Sequence, residues 1–344
     1  MSIICKLGTA AVVVAIAATG CNHPPQIGAP HTPDRAAVVD PQYTLIQEPE
    51  AGYAPITSLI DGASKSVRMT MYALNDPAIE QALINAHTRR GVATTVVLDR
   101  AYHGQRTNQS AYDYLTSAGV DVIWAPAATI VHEKAIVIDD ATAIVSTANL
   151  TAQYYATGRD ALVVTSNPAQ VSAIAATIDG DYQAAPDGRL SEAVDAPGLI
   201  WSPAARSAFV QTIEDATTSL EVTSEEFTDR AVLTALTHAA ARHVQCRILL
   251  NADNQPSASV QAVQHAGCAV HVVPQSANGL YLHEKIVLAD RKSLLIGSHN
   301  LATRSLTENR ELSLQLDADA APKIIEAVST VFETDFAHAS DTER

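Results

Sequence analysis

The chain has no Lys/Arg-rich run longer than two residues in its 344, and 37 acidic against 22 basic side chains give a formal net charge of −15. A general nucleic-acid binder carries a basic patch or groove, so this balance argues against that class. A small cationic site can still sit inside an acidic shell. An apolar stretch of membrane-spanning length is also missing. The candidate, in MSIICKLGTAAVVVAIAATG at residues 1–20, runs only from Lys6 to Ala18, too short for a comfortable span. Cysteine is scarce, with four residues, and no His/Cys cluster has the spacing of a zinc site.

What stands at the N-terminus is a targeting pattern. Lys6, an apolar stretch, small residues and then Cys21 follow the order of a signal peptide. The ending AATG-C resembles a bacterial lipoprotein processing site, with Ala18 where that motif prefers leucine; the alternative is an ordinary secretory signal with a coincidental cysteine. Residues 1–20 are therefore expected to be removed and Cys21 to be lipidated, placing the mature protein in the bacterial cell envelope, or outside the cell if Cys21 is unmodified. Cys5 leaves with the signal. Cys246 and Cys268 remain, each at the start of an expected strand (CRILL and CAVHVV). In an oxidising compartment they are read as a disulfide, the alternative being two buried thiols.

Residues 21–45, with Pro24, Pro25, Pro30, Pro33 and Pro41, read as an extended tether. Beyond them the chain repeats itself. ITSLIDGASKSVRMTMYAL and FVQTIEDATTSLEVTSEEF each give an amphipathic helix and a β-branched strand, in step when Ser66 is aligned with Ser219. A second helix follows in each, opened in the first copy by Asp76-Pro77 and closed by Gly91. Then come TTVVLD and CRILLN, GVDVIWAP and GCAVHVVP, VHEKAIVID and LHEKIVLAD, and AIVST and LLIGS. Repetition of this length implies two copies of one α/β unit. The units are placed at 46–184 and 204–338, joined by a linker at 185–203 and followed by a tail at 339–344. Each is expected to be a mixed β-sheet flanked by helices. A hydrophobic content of 47% suffices for two cores.

Apolar strands normally reject histidine and lysine, yet His132-x-Lys134 and His283-x-Lys285 recur 151 residues apart. Alternation along a strand puts each His and its Lys on one face and Glu133 or Glu284 on the other, solvated or paired away from the site. Asn149 and Asn300 follow at matching distances, in STANL and GSHNL, and Asp160 and Glu311 each lie 28 residues after their own histidine. This set, with Asp139 and Asp290 closing the motifs, resembles the phospholipase D superfamily of HKD phosphodiesterases, over roughly residues 45–338. The first copy departs at Ser146-Thr147, where the family has the Gly-Ser pair seen here as Gly297-Ser298.

The resemblance implies that the two units pack about a pseudo-dyad and share one site, so that a monomer suffices. His132 is then the nucleophile that forms a phosphohistidine, and His283 protonates the leaving alcohol and later activates water. Lys134, Lys285, Asn149, Asn300 and the hydroxyls of Thr147 and Ser298 would hold the phosphate and stabilise its developing charge, with neither metal nor other cofactor. Asp160 is expected to orient His132 and Glu311 to orient His283. Asp139 and Asp290 are read as structural, and Tyr154, Tyr155 and Tyr281 as a substrate entrance. His87, His103, His238, His265, His271 and His299 are assigned no role. With a membrane tether, the implied activity is hydrolysis of phospholipids to phosphatidic acid and head-group alcohol. The alternatives are an exported nuclease, which the acidic balance disfavours, and phosphatidyl transfer.

Overall fold

A computed structural model describes residues 37–101, 104–252, 257–274 and 279–341. Cys21, the signal segment, most of the tether and His103 lie outside them. The first copy builds a sheet in the order Val38–Val39, Tyr43–Glu48, Gly158–Thr165, Thr142–Ser146, Lys134–Ile138, Ser66–Met71, Ala93–Leu98, Asp121–Trp124. The second repeats it as Leu199–Trp201, Leu312–Asp317, Ser293–Gly297, Ile286–Ala289, Ser219–Ser224, Gln245–Asn251, Ala269–Val273, Ser340–Asp341. Both sheets are mixed: within each copy the parallel pairs are those joined through helices and the remainder are antiparallel, and Tyr281–Leu282 of the second copy adds a parallel pair to the first sheet.

The helices start where the sequence signals them. Asp76 accepts hydrogen bonds from the backbone N–H groups of Ala78 and Ile79, and Asp229 does the same for Ala231 and Val232. Helices Ala54–Gly62, Pro77–Arg90 and Gly104–Ser117 cover one face of the first sheet, and Arg206–Asp215, Arg230–Ala241 and Ala258–Ala266 one face of the second. The other faces, with Val137, Val145, Val163, Leu288, Ile296 and Leu314, join the long helices Pro168–Ala184 and Pro322–His338 in a single shared core. Covered on both sides, Lys134–Ile138 and Ile286–Ala289 are buried at every residue.

Three boundaries differ from the sequence reading. Residues 38–39 and 43–48, assigned to the tether and its junction, are strands, because Tyr43, Leu45 and Ile46 bury against Gly158–Thr165. Leu199–Trp201 of the linker zips onto Leu312–Leu314, and Ser340–Asp341 of the tail pairs with His271 and Val272. Cys246 and Cys268 form a disulfide between neighbouring strands of the second sheet, with Cα atoms 4.6 Å apart.

Asp139 and Asp290 occupy hairpin turns at φ 56° and 54°, each followed by a second left-handed residue, Asp140 and Arg291. Two such residues suit a tight turn that follows the strand twist. The Asp139 carboxylate accepts from the N–H groups of Ser64, Lys65 and Ser66, and Asp290 from those of Thr217, Thr218 and Ser219. Each motif aspartate thus fastens its hairpin to the loop entering the neighbouring strand. Although burial alone would raise the Asp139 carboxyl, these donors hold it down at about 2.

Candidate active site

Each His-x-Lys segment enters its sheet only after the histidine: the strand begins at Lys134 in one copy and at Ile286, just past Lys285, in the other. The residues just before pair across to the opposite half. The backbone N–H groups of His132 and Glu133 both donate to the Arg310 carbonyl, at 2.9 and 3.0 Å; those of His283 and Glu284 donate to the Arg159 carbonyl, at 3.0 and 2.9 Å. Tyr281–Leu282 runs parallel to Gly158–Arg159, and Val131 bridges Arg310 in the same sense.

This register decides which carboxylate meets which imidazole. His132 Nδ1 lies 2.8 Å from Glu311 Oε2, and His283 Nδ1 lies 2.9 Å from Asp160 Oδ1. The expected pairing of Asp160 with His132 and Glu311 with His283 is therefore corrected: the partners are exchanged between halves. The reason lies in the sheet order. Within one copy, strand Thr142–Ser146 separates Gly158–Thr165 from Lys134–Ile138, putting about 9.5 Å between the outer two. The neighbouring half has no such intervening strand.

The two carboxylates are fixed from behind. Thr147 Oγ1 donates to Asp160 Oδ1 at 2.5 Å and accepts from Ala161 N at 2.9 Å. Ser305 Oγ and the Asn309 amide donate to Glu311 Oε1 at 2.6 and 2.9 Å, leaving Oε2 to the histidine. Ser298 Oγ accepts from Leu312 N at 3.1 Å. Thr147 and Ser298 are wholly buried, so both are corrected from phosphate donors to scaffold: Thr147 holds the carboxylate that holds the histidine.

The lysines turn back on their own segments, Lys134 Nζ reaching the His132 carbonyl at 2.6 Å and Lys285 Nζ the His283 carbonyl. Burial lowers the Lys134 amine to about 7, against the pull of Glu311, and the Lys285 charge lowers it further. Burial likewise lowers His132, opposed by Glu311, with both lysines adding to the depression. Glu311 is held down at about 2: burial would raise it, but His132 and its hydrogen bond outweigh that. Burial thus favours the uncharged form of the His132 ring, while Glu311 at Nδ1 favours the charged one. Asn149 is half-buried beside His283 in a common cavity, and Asn300 is buried in the matching turn of the second copy.

Glu133 and Glu284, expected to be solvated or paired, are instead 0% and 4% exposed. Burial pushes each up to about 8, with Asp181 and Asp335 respectively adding to the rise against an arginine that opposes it. They face inward because alternation sends them there, beside the buried ion pairs Arg310–Asp181 and Arg159–Asp335 respectively. His299, assigned no role, is wholly buried between Ser313 Oγ and Ser202 Oγ, at 2.7 and 2.9 Å.

Four residues escaped the sequence reading. Glu225 Oε2 lies 3.0 Å from Lys285 Nζ and 3.3 Å from His283 Nε2. Tyr72 presents its ring to His132, centroids 4.6 Å apart, and to Lys134 Nζ at 4.9 Å. Aligning Ser66 with Ser219 already sets Tyr72 opposite Glu225, which was the available signal. Asp99 and Asn251 form the other pair, accepting from Val131 N and Leu282 N at 2.8 and 2.9 Å and so fixing the residue before each histidine. Among the described residues no group of three or more His, Cys, Asp or Glu is disposed to hold a metal ion, and no helix is long and apolar enough to cross a membrane.

The family described as "Cardiolipin synthase, PLD-like domain" matches twice, at residues 56–182 and 209–336. Cardiolipin synthase A of Pseudomonas putida (strain W619) is 26% identical over 340 residues, covering 87% of this chain and 69% of its own length. A phospholipase D of Rickettsia conorii is 37% identical over 97 residues, or 28% of this chain and 47% of that protein. The phosphatidylserine synthase of Haemophilus influenzae Rd KW20 shares the fold, with a TM-score of 0.66 at 15% identity over 89% of this chain and 88% of its own.

Proposed function

The chain belongs to the cardiolipin synthase, phospholipase D-like family, and from that premise we propose that it is a phosphodiesterase of phospholipids, releasing phosphatidic acid and head-group alcohol. The exchanged imidazole–carboxylate pairs carry this reading, because each half lends the acid that holds the other's histidine, and the Lys285 charge is felt by both His132 and Lys134. Neutral His132 offers Nε2 to phosphorus. His283 faces a carboxylate at each ring nitrogen, Asp160 at Nδ1 and Glu225 at Nε2. In this reading His132 is the nucleophile and His283 the acid.

In the first step a bond forms from His132 Nε2 to phosphorus while the ester oxygen leaves with the proton of His283 Nε2. Lys134 and Lys285 balance the charge gathering on the phosphoryl oxygens, helped by the amides of Asn149 and Asn300. In the second step His283 takes a proton from water, the water oxygen attacks phosphorus, and His132 is released. An alcohol in place of water gives phosphatidyl transfer, a second reading favoured by the similarity to cardiolipin synthase A. The protein is further proposed to be exported and anchored through lipidated Cys21, acting as a monomer on the membrane that holds it.

The test is release of phosphatidic acid from phosphatidylcholine and phosphatidylethanolamine vesicles by wild type and by His132→Ala, with and without EDTA, glycerol and phosphatidylglycerol serving as acceptors in parallel. Histidine-dependent release that EDTA leaves intact is expected. Nicking of plasmid DNA with lipid untouched would overturn the lipid assignment, and a new diester exceeding phosphatidic acid would favour transfer. Mass spectrometry of the N-terminal peptide, with Cys21→Ser as control, tests the anchor.

A further inference from the structure

Behind Glu311 runs a buried hydrogen-bonded path that takes no part in the two chemical steps, and it begins at an imidazole. His299 is wholly buried, with Nδ1 2.7 Å from Ser313 Oγ and Nε2 2.9 Å from Ser202 Oγ. The Ser202 hydroxyl donates to the Ser305 carbonyl, and Ser305 Oγ donates to Glu311 Oε1 at 2.6 Å. Glu311 Oε2 ends the path at His132 Nδ1. Ser202 has one hydrogen and gives it to a carbonyl, so it accepts the Nε2–H of His299. Burial lowers the His299 ring to about 4. Near neutral pH it therefore carries that one N–H, and its Nδ1 accepts from Ser313.

The dyad-related half is built differently. A shift of 151 residues puts Ala148 in the place of His299, Leu162 in that of Ser313 and Tyr154 in that of Ser305. Ser202, whose N–H donates to the Glu311 carbonyl, corresponds to Glu48, which stands opposite Asp160 and accepts from Gly52 N instead. Asp160 takes its support from Thr147 and borders the open cavity beside His283, whereas Glu311 is 0% exposed. We propose that His299 is a positioning residue for the attacking histidine: through Ser202 and Ser305 it fixes the hydroxyl that Glu311 accepts, and with it the direction in which Glu311 Oε2 meets His132. The inference rests on the phosphodiesterase reading, with His132 as nucleophile, and deepens it.

Three segments meet at the His299 ring. Ser202 follows strand Leu199–Trp201, Ser305 lies in the short helix Thr303–Thr307, and Ser313 belongs to the strand Leu312–Asp317, which starts one residue after Glu311. Each hydrogen bond is donated toward Glu311, so those of Ser313, His299 and Ser202 strengthen one another. Ser305 Oγ also accepts from Asn300 N at 2.8 Å, and the Asn309 amide joins it on Glu311 Oε1. With both donors on Oε1, the carboxylate plane is set and Oε2 is left for the imidazole. Without the N–H of His299 the Ser202 hydroxyl is no longer held toward the Ser305 carbonyl. The turn that carries Ser305 Oγ then loses its tie, and the carboxylate can rotate away from the angle at which His132 attacks.

The experiment follows first-turnover release of p-nitrophenolate from a p-nitrophenyl phosphodiester by wild type, His299→Leu, His299→Gln and Ser202→Ala, each also made in a Glu311→Gln background. Leucine fills the space without an N–H, whereas glutamine can present an amide N–H near the place of Nε2. His299→Leu and Ser202→Ala are each expected to slow release about fivefold, the worth of one neutral hydrogen bond, and His299→Gln to stay within about twofold of wild type. In the Glu311→Gln background the same substitutions should add almost nothing, because their effect passes through that carboxylate; a general loosening of the fold would add its full factor there. Full additivity, a wild-type rate in His299→Leu, or a glutamine variant no faster than the leucine one overturns the inference. Should His299→Leu not fold, Ser202→Ala carries the test, with the same slowing and the same loss of effect in the Glu311→Gln background. The phosphodiesterase reading fails separately: wild-type release that His132→Ala does not abolish overturns it, whatever the His299 variants do.

Discussion

Exchange of the orienting carboxylates predicts that Asp160 and Glu311 fail in different ways when neutralised. Asp160→Asn keeps an oxygen for Thr147 Oγ1 and for His283 Nδ1, which now lie 2.5 and 2.9 Å from Asp160 Oδ1. What disappears is the charge. A hydrogen bond to a charged group contributes about 1.5–3 kcal/mol, against roughly 1 for a neutral one, so the imidazolium of His283 loses about 1–2 kcal/mol of support. For a substrate whose alkoxide must be protonated as it leaves, that is roughly a five- to thirtyfold fall in kcat/KM. For a p-nitrophenyl ester the leaving group departs without a proton, and the formation of the phosphoenzyme should scarcely change. Glu311→Gln weakens the attacking imidazole instead and should slow both substrates alike. The assay is kcat/KM on a phosphatidylcholine and a p-nitrophenyl phosphodiester, with the p-nitrophenolate burst isolating the first step. If Asp160→Asn suppresses the burst on the activated ester as strongly as Glu311→Gln does, either the exchange or the assignment of His132 as nucleophile is wrong.

Because burial lowers Lys134 to about 7 and the phosphate needs its charge, kcat/KM should fall as pH rises through about 7, while kcat, which reports the complex with the anion bound, should hold to higher pH. Coincident alkaline limbs in the two profiles would refute that. Glu133 is raised to about 8, so its folded form binds the proton more tightly than the unfolded chain does. Its contribution to stability is full below about 4.5 and is lost as pH rises through about 8. Glu133→Gln should therefore raise Tm at pH 9 by several degrees and leave it nearly unchanged at pH 4.5, as read by calorimetry. His299 has the opposite sign. Burial lowers it to about 4, favouring the neutral ring, so its contribution is present above about 6.5 and lost as pH falls toward about 4, up to about 3 kcal/mol. A His299→Gln variant should show a shallower decline of Tm over that interval.

The repeat, the helix start at Asp76 and the paired motifs were legible because they depend on local chemistry: an N-cap, a strand period, a recurring set of side chains. Asp139 and Asp290 were read only as structural; the left-handed turn and the distant backbone donors that each holds appear in the structure. Where reading failed, the missing information was the order of strands. Equal spacing from His132 to Asp160 and from His283 to Glu311 suggests that each acid serves its own histidine. Only the placement of Thr142–Ser146 between them shows that it cannot. The buried state of Glu133 and Glu284 depended on a core common to both sheets, which alternation along one strand does not reveal. Glu225 was overlooked because attention followed what the halves share, whereas its significance lies in how they differ from each other.

Trading carboxylates has a consequence for how the two halves can be parted. Neither holds a finished histidine, since each keeps the other's acid: a fragment carrying only His132 lacks Glu311, and one carrying only His283 lacks Asp160. Yet each fragment retains both kinds of part, one to lend and one needing a loan. Two copies of either could in principle satisfy one another across a true twofold axis. The covalent join between unlike halves then serves chiefly to let the opposed walls of the cleft become different, something a symmetric pair could never do.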